Sequence, residues 1–386
     1  MACLTQDTQF GELLELVASK GLDEISEPVA LLFNLAMRLE REKYLKAGAY
    51  ERTEQREGYA NGFKPKTIKT RFGQLDLAVP QVRDGGFYPN SLEKGMRSER
   101  ALKLALAEMY IHGVSTRKVA RITEQMCGFE ISSGQVSRAS ADLDDLLEKW
   151  RNRPLGCFPY VYLDAMYEKV RQGGQVVDCA ALIAIGVDDT GRRQVLGASV
   201  KLSEHEVHWR SFLNSLQSRG LHGVHLFISD DHAGLKAARK AIFPATPWQR
   251  CQFHLQQNAQ SYVPKKSLKK GVAAEIRAIF NAPSDTEAKR LVGLFVDKYE
   301  KVAPPLSQWA EKNIPEGLAA MQFPEEHQRK IRTSNMLERV NKEVRRRTRV
   351  AGLFPNETSC LRLISAVLME ISDDWATGKK YLKLCQ

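Results

Sequence analysis

The sequence lacks any apolar run of about 18 residues, the length that a transmembrane helix requires. We expect no secretion signal, because acidic residues stand near the start of the sequence, where such a signal has a basic end and an apolar core. Its seven cysteines are odd in number and scattered, a usage typical of reduced thiols. No internal repeat or low-complexity segment interrupts it. We therefore expect a cytoplasmic protein that crosses no membrane.

Acidic residues are fewer than basic residues. The chain has 46 of them against 57 lysines and arginines, which gives a net charge of +11. This excess of positive charge favours a polyanionic partner, nucleic acid before a membrane surface. A length of 386 residues predicts two or three domains, and a hydrophobic fraction of 43% suffices for their cores.

The first hundred residues divide into a helical part and a basic β part. Residues 1–50 carry apolar side chains at helical spacing, which predicts either a small bundle or a dimerisation element. Residues 51–97 are interrupted by glycines, and alternating residues on both sides of Gly73 predict a hairpin. Lysines and arginines make this element basic, so it either contacts DNA or is a solvated linker.

Residues 98–150 again show helical periodicity. Ser115 is placed to cap a helix that ends at Gly128, and a further helix is predicted to run from about Ser132 to Trp150. Two helices with a short break fit a helix-turn-helix, although the same pattern occurs in any α bundle. The first turns of a recognition helix reach base edges. The predicted DNA contacts are Arg117, Lys118, Arg121, Gln135, Ser137 and Arg138.

From residue 151 the pattern becomes α/β. Residues 151–260 read as three strands in a meander, a helix, a strand, a helix and a last short strand. Two apolar strands are followed by carboxylates, Asp164 and Asp230. Residues 261–328 contain only helical patterns and prolines, so they predict an all-helical insertion. Residues 329–386 then return to the core with one helix from Arg332 to Pro355 and a helical tail to Leu384.

Ligands of open α/β sheets bind at the carboxyl ends of the strands. If the two strands are neighbours, Asp164 and Asp230 converge, and a hard cation such as Mg²⁺ relieves their repulsion. Glu338 on the closing helix would complete the set. Each acid also has a structural alternative as a turn or capping residue, and Asp231 competes with Asp230 for the ligand role, as Glu343 does with Glu338.

The closing helix carries a row of cations after Glu338. They could form ion pairs with Glu338, or they could grip the phosphates of a polyanion beside a metal. The candidate phosphate contacts are Lys342, Arg345, Arg346, Arg347 and Arg349. Cys251 and His254 form a C-x-x-H pair, but two ligands do not make a zinc site, so packing and hydrogen bonding are the favoured role.

Together these residues resemble the IS256-type bacterial insertion-sequence transposases, which are related to the eukaryotic Mutator elements. The similarity extends over most of the chain from about Gly58, and its last segment is long and highly specific. The segments that carry it are MYIHGVSTRKV (Met109–Val119), YLDAMYEKVR (Tyr162–Arg171), ISDDHAGL (Ile228–Leu235), WQRCQFH (Trp248–His254) and RTSNMLERVNKEVRRRTRVAGLFPN (Arg332–Asn356).

The resemblance implies an RNase H-like α/β core, a mixed sheet flanked by helices, interrupted by the all-helical insertion. It assigns the catalytic and metal-binding acids to Asp164, Asp230 and Glu338, in agreement with the reading from the residues alone. It also implies binding of terminal inverted repeats and a copy-out–paste-in pathway through a circular intermediate.

The leading hypothesis is therefore a DNA transposase that uses Mg²⁺ or Mn²⁺, with two ions in the site. Its partners would be duplex DNA of the element ends and of the target, and it would associate with the nucleoid when bound. Strand transfer at two ends suggests a homodimer. One alternative is a catalytically inactive DNA-binding regulator on the same fold. Another is an RNase H-like nuclease without strand transfer, which leaves the helix-turn-helix unexplained.

Overall fold

The computed structural model describes residues 6–21, 24–83 and 85–383. The chain divides into two compact units, Met1–Leu143 and Asp144–Gln386. Among the described residues, the first unit contains five helices and a hairpin, and the second contains a mixed five-stranded sheet with the remaining helices. Across the described ranges, no helix combines the length and the apolar character that spanning a bilayer would require.

The hairpin of the first unit follows the expectation, with longer strands. Its register ends with Thr70 opposite Gly73, which leaves a two-residue loop, and the positive φ of 116° at Gly73 explains the glycine there. One face of the second strand packs on the second helix. The elements are α1 (Gln6–Lys20), α2 (Ser26–Leu45), β1 (Ala60–Thr70) and β2 (Gly73–Val82).

Three helices complete the first unit: α3 (Arg100–Ile111), α4 (Thr116–Cys127) and α5 (Ser133–Ala141). Ser115 caps α4 by accepting from the amide of Lys118, and Gly128 ends it in the left-handed region, as predicted. The further helix differs from the prediction, because it is two helices. The second of them, α6 (Asp144–Arg151), begins with acidic residues that the helix dipole favours in a first turn.

The second unit is built on a sheet with strand order β5-β4-β3-β6-β7. The first three strands form the predicted meander, and β6 and β7 run parallel to β3. Two helices, α7 and α8, flank the strand β6 along the chain, as predicted. The elements are β3 (Tyr160–Gln172), β4 (Gln175–Val187), β5 (Arg193–Lys201), α7 (Glu206–Ser218), β6 (Leu226–Ser229), α8 (Ala233–Ile242) and β7 (Trp248–Arg250).

Between β7 and Arg332 the structure contains helices and short 3₁₀ turns only, as the prolines and periodicity predicted. These helices have a core of their own, in which Ile276, Phe295 and Leu306 are buried. The helices are α9 (Gln252–Ala259), α10 (Lys269–Phe280), α11 (Asp285–Glu300), α12 (Pro304–Asn313) and α13 (Glu325–Ile331).

The last two helices are shorter than predicted. Helix α14 covers Asn335–Thr348, because the chain then turns through Gly352, at a φ of 65°, and Phe354 pairs with Val170 of β3. Helix α15 covers Glu357–Thr377. After it, residues 378–383 are not helical, and the amides of Tyr381 and Leu382 donate to the carbonyl of Gly191. Leu384 lies outside the described residues.

Candidate active site

Asp164 and Asp230 lie side by side at the end of a parallel ladder. Strands β3 and β6 pair from Tyr160–Leu226 to Leu163–Ser229, and each aspartate is the next residue along the chain. Asp164 was expected at the end of its strand, but β3 continues to Gln172, where it still pairs with β4. Asp164 instead lies at the point where the parallel pairing of β3 with β6 ends. Because neighbouring strands are about 4.8 Å apart, this register brings the two carboxylates together.

Glu338 reaches the same place from the first turn of α14. Leu337, Val340 and Val344 form the buried stripe of this helix, which holds it against the rest of the unit. Glu338, Asp164 and Asp230 all line one cleft of about 620 Å³. The structure therefore brings together three acids that are distant along the chain.

His254 stands between two of these acids. Its Nδ1 lies 3.6 Å from an oxygen of Asp230, and its Nε2 lies 3.6 Å from an oxygen of Glu338. A hydrogen bond with Cys251 and the nearby carboxylates raise the pKa of His254 to about 9, against the opposing effect of burial. The imidazole therefore carries a positive charge at neutral pH and offsets part of the carboxylate repulsion.

Hydrogen bonds link the Cys251–His254 segment to the end of β6 and to the start of α14. The amide of Cys251 donates to the carbonyl of Ser229, and the amide of Ser334 donates to the Cys251 sulfur at 3.4 Å. Burial raises the pKa of the Cys251 thiol, but hydrogen bonds with His254 and Ser334 outweigh burial and lower it overall. Ligand atoms of Cys251, His254 and Glu338 lie within 4.8 Å of one another.

Asp164 is held by two hydrogen bonds. The amide of Ala165 donates to its Oδ1 and the side-chain amide of Asn341 donates to its Oδ2, both at 2.8 Å. Burial raises the pKa of Asp164 to about 6, the Ala165 bond opposes this rise, and the charge of Asp230 adds to it. The carboxylate is therefore fixed in orientation but poorly solvated.

Two carboxylate oxygens of the cleft lack a partner. Within the described ranges, neither Oδ1 of Asp230 nor Oε1 of Glu338 has a hydrogen-bond partner, although both atoms are buried. Buried polar atoms are normally satisfied, so such atoms require an explanation. Carboxylate oxygens are the ligands that Mg²⁺ prefers. The donor set of the cleft therefore fits a hard divalent cation.

The neighbouring acids differ, because cations satisfy them. Asp231 forms ion pairs with Arg250 at 3.0 Å and with Lys236 at 3.3 Å. Glu343 is paired with Arg346 and Arg347, and hydrogen bonds from these arginines lower its pKa to about 2. Asp231 and Glu343, the competing candidates of the sequence, are thus engaged in structural contacts.

The candidate phosphate contacts on and just after α14 differ in their partners. Lys342, Arg345 and Arg349 are exposed and line the cleft, and the described part of the chain offers none of them an ion pair. Arg346 also lines the cleft but is paired with Glu343. Arg347 is buried and bonded to Glu343 and to Glu370 of α15, so its charge serves the fold rather than the cleft.

In the first unit, the predicted DNA contacts lie on α4 and α5. Five of the six side chains are exposed to solvent, and four of these five are positively charged. Gln135 is the exception, since its side-chain oxygen accepts from the amide of Ser132 in a capping box. Only its amide nitrogen remains to reach a base. The exposed residues are Arg117, Lys118, Arg121, Ser137 and Arg138.

The chain is similar to known proteins over nearly all of its length. The family described as "Transposase, Mutator family" matches residues 4–378. The chain belongs to this family. This Mutator-family transposase is 55% identical to the transposase for insertion sequence element IS406 of Burkholderia multivorans, over 97% of the chain and 96% of the relative. It is 37% identical to the transposase for IS256 in transposon Tn4001 of Staphylococcus aureus, over 96% of each.

A third relative of the Mutator-family transposase is the transposase for ISRM5 of Rhizobium meliloti, 40% identical over 94% of the chain and 91% of the relative. The chain thus spans nearly the whole length of its relatives. The resemblance drawn from the motifs is confirmed, and the protein is a transposase enzyme.

Sequence reasoning missed Asn341 of the transposase cleft. Asn341 stands three residues after Glu338, so both are on one face of α14, and its amide reaches Asp164. The helical spacing was available from the sequence. Nothing in the sequence distinguished this asparagine from a solvated one, because its partner lies on a distant strand.

Proposed function

We propose that this transposase binds the DNA of its element ends and, with Mg²⁺ or Mn²⁺ held by Asp164, Asp230 and Glu338, cleaves and transfers DNA strands. One observation carries the proposal. Three acids from separate elements line a single cleft, and two of them have buried oxygens without a hydrogen-bond partner in the described ranges. The ring of His254 lies 3.6 Å from each of these oxygens, which is beyond hydrogen-bond distance, whereas arginines contact the carboxylates of Asp231 and Glu343 at 3.0 and 2.7 Å.

Bound divalent ions would supply an activated water or 3′-hydroxyl and stabilise the leaving oxygen of a phosphodiester. The side chains of the cleft hold the candidate metal ligands in fixed orientations. Asn341 and the Ala165 amide fix the plane of the Asp164 carboxylate, and His254 lies between Asp230 and Glu338. We infer that Cys251 positions His254 and the start of α14, and does not itself bind the catalytic ion.

The basic side of the cleft would hold the DNA backbone. Lys342, Arg345 and Arg349 form no ion pair within the described ranges, and they line the cleft that contains the carboxylates. Arg346 joins them when its pair with Glu343 opens. Phosphate contacts of this kind make binding strongly dependent on salt.

The finer architecture belongs to the same proposal. Residues 151–260 and 329–386 would form an RNase H-like core, supported by the mixed sheet, with residues 261–328 as its helical insertion. Residues 98–150 would act as a helix-turn-helix that reads terminal inverted repeats, aided by the basic hairpin of residues 51–97. Residues 1–50 would support a dimer that brings two ends together for the copy-out–paste-in pathway.

The test is metal-dependent nicking of a duplex oligonucleotide that carries the element end. The intact protein should nick this DNA with Mg²⁺ or Mn²⁺ and should stop when EDTA is added, while DNA binding continues. A scrambled end of equal length and composition is the control for sequence specificity. Nicking that persists in EDTA, or an inactive protein that still binds the end, would contradict the proposal.

A further inference from the structure

A second pocket lies beside α14, next to the carboxylate cleft. Its volume is about 540 Å³, and Arg339 and Glu343 of α14 line both cavities. The other walls come from β5, α13, α15 and the segment after α15. The side chains that give it its character are Arg193, Arg329, Lys330, Arg339, Trp375 and Tyr381.

The pocket has an excess of positive charge. None of the cations Arg193, Lys330 and Arg339 forms an ion pair with a carboxylate in the part of the chain that the structure describes, and the same holds for Arg329. The acid in the lining is Glu343, whose carboxylate already accepts hydrogen bonds from two arginines outside the pocket's wall. The cations therefore face the cavity without neutralisation from within the fold.

Arg193 is the centre of the arrangement. Its guanidinium lies 4.4 Å from the ring centre of Trp375 and 5.0 Å from that of Tyr381, and the amine of Lys330 lies 4.8 Å from the same tyrosine ring. Burial lowers the pKa of Arg193, and the charge of Arg339 lowers it further. Two aromatic rings hold the partly desolvated guanidinium of Arg193 in place. An anion bound in the pocket would offset the free-energy cost of desolvating this cation.

The wall of the pocket is fixed by hydrogen bonds. Arg192 donates to the carbonyls of Ala376 and Gly378, and the amide of Tyr381 donates to the carbonyl of Gly191 at 2.8 Å. The ring of His327 bonds to the carbonyl of Lys383 at 2.8 Å. The segment that carries Trp375 and Tyr381 is therefore held against β5 and α13 before any ligand binds, which lowers the entropic cost of binding.

We propose that this pocket is a second phosphate-binding site, which holds a backbone phosphate of the DNA strand whose reacting phosphodiester lies in the carboxylate cleft. The proposal rests on the proposed function. An α-helix is about 10 Å wide, and one strand of DNA advances about 3.4 Å per nucleotide, so a strand that crosses α14 places the second phosphate roughly three nucleotides from the reacting one.

The test uses the double variant Arg329→Ala/Lys330→Ala, two exposed side chains of the pocket that do not line the cleft. The matched control is Arg277→Ala/Lys312→Ala, which removes the same charge from exposed sites on α10 and α12. Affinity for element-end DNA is measured by fluorescence anisotropy over a range of salt. The pocket variant should bind roughly threefold to tenfold more weakly, and its salt slope should fall by about 0.7–0.9 for each lost phosphate contact.

The decisive experiment compares the binding of the pocket variant and of the wild type to end DNA of different lengths. End DNA is shortened one nucleotide at a time, first on one side of the cleavage point and then on the other. The difference between the variant and the wild type should vanish once fewer than about three nucleotides remain on one side. Equal losses in the control variant, or a loss that does not change with DNA length, would overturn the proposal.

Inorganic phosphate and a short single-stranded oligonucleotide are then compared as ligands through the fluorescence of Trp375, with Trp375→Phe as the reference for the other tryptophans. A signal from inorganic phosphate, without any effect of the double variant on DNA, would show a site for free phosphate and overturn the proposal. Failure of the proposed function is distinguishable, because it would appear as lost nicking in the wild type. The binding measurements require no nicking.

Discussion

Two pairs of carboxylates, each close together along the chain, have opposite surroundings. Asp231 follows Asp230, and Glu343 follows Glu338 by just over one helical turn. Arginines and a lysine contact Asp231 and Glu343, whereas the buried oxygens of Asp230 and Glu338 have no hydrogen-bond partner in the described ranges and lie 3.6 Å from the His254 ring. The difference teaches that the partners of an acid, and not its type or its place in the sequence, separate a structural carboxylate from a candidate ligand.

The strongest test of this comparison exchanges one acid at a time. Asp164→Asn, Asp230→Asn or Glu338→Gln should each reduce DNA nicking by roughly 10³-fold, because each removes a charge that stabilises the transition state through the metal. DNA binding should change little. Rates come from single-turnover cleavage of labelled end DNA.

Asp231→Asn is the matched control, since it changes the same group one residue away. It should retain nicking within about tenfold, with a loss of stability from its broken ion pairs. If Asp231→Asn were inactive and Asp230→Asn active, the assignment of the two aspartates would be reversed.

The second test concerns the arginines of α14. Arg347→Ala should destabilise the protein by about 3 kcal/mol, because it removes the ion pairs that this buried guanidinium makes with Glu343 and Glu370. Arg345→Ala should leave the stability unchanged and should weaken DNA binding with a smaller salt slope. Urea unfolding and anisotropy measure the two quantities. The reverse pattern would place Arg347, and not Arg345, among the phosphate contacts.

Much of the fold could be predicted from local sequence patterns. The hairpin around Gly73, the caps at Ser115 and Gly128 and the strand order along the chain depend on residues close in sequence, where turn chemistry and periodicity act. The convergence of Asp164 and Asp230 was also predicted, on the condition that their strands are neighbours. The structure supplies that condition as a parallel ladder.

What could not be predicted depends on partners far along the chain. The roles of Asp230 and Asp231 could not be separated until Arg250 was placed beside Asp231. Arg347 looked like its neighbours on α14 until Glu370 of another helix was brought to it. The predicted helix over Arg332–Pro355 was too long because Phe354 pairs with β3, a tertiary contact that overrides local helix propensity.

The third test asks whether orientation of Asp164 matters as well as its charge. Asn341→Ala removes the amide that donates to Asp164 and should reduce nicking by about 10- to 100-fold, the usual cost of losing a group that orients a metal ligand. The concentration of Mg²⁺ for half-maximal rate should rise. Asn341→Gln should restore part of the rate, and Asn258→Ala, at an exposed position of α9, is the control. Unchanged metal dependence in Asn341→Ala would limit Asn341 to a structural role.

The smallest expected effect is on the stability of the metal-free protein. The folded-state pKa of Asp164 is about 6, above its ordinary value of 3.8, so the folded protein binds this proton more tightly than the unfolded chain does. Stability is therefore lost as the pH rises from about 4 through 6 and stays lower above that range. Asp164→Asn removes the carboxylate, so in EDTA it should be more stable than the wild type by about 1 to 2 kcal/mol at pH 8, with no gain near pH 4.

Thermal unfolding with EDTA at several pH values measures this difference, and Mg²⁺ should abolish it by stabilising the wild type but not the variant. Asp231→Asn should show the opposite sign at pH 8, since its carboxylate is stabilised by Arg250 and Lys236. If both variants lost stability, Asp164 would be another satisfied carboxylate, and the contrast between the two kinds of acid would fail at its most buried member. If Asp164→Asn gained stability as it lost activity, the cleft would hold its acids at a cost to the fold that only a bound cation offsets.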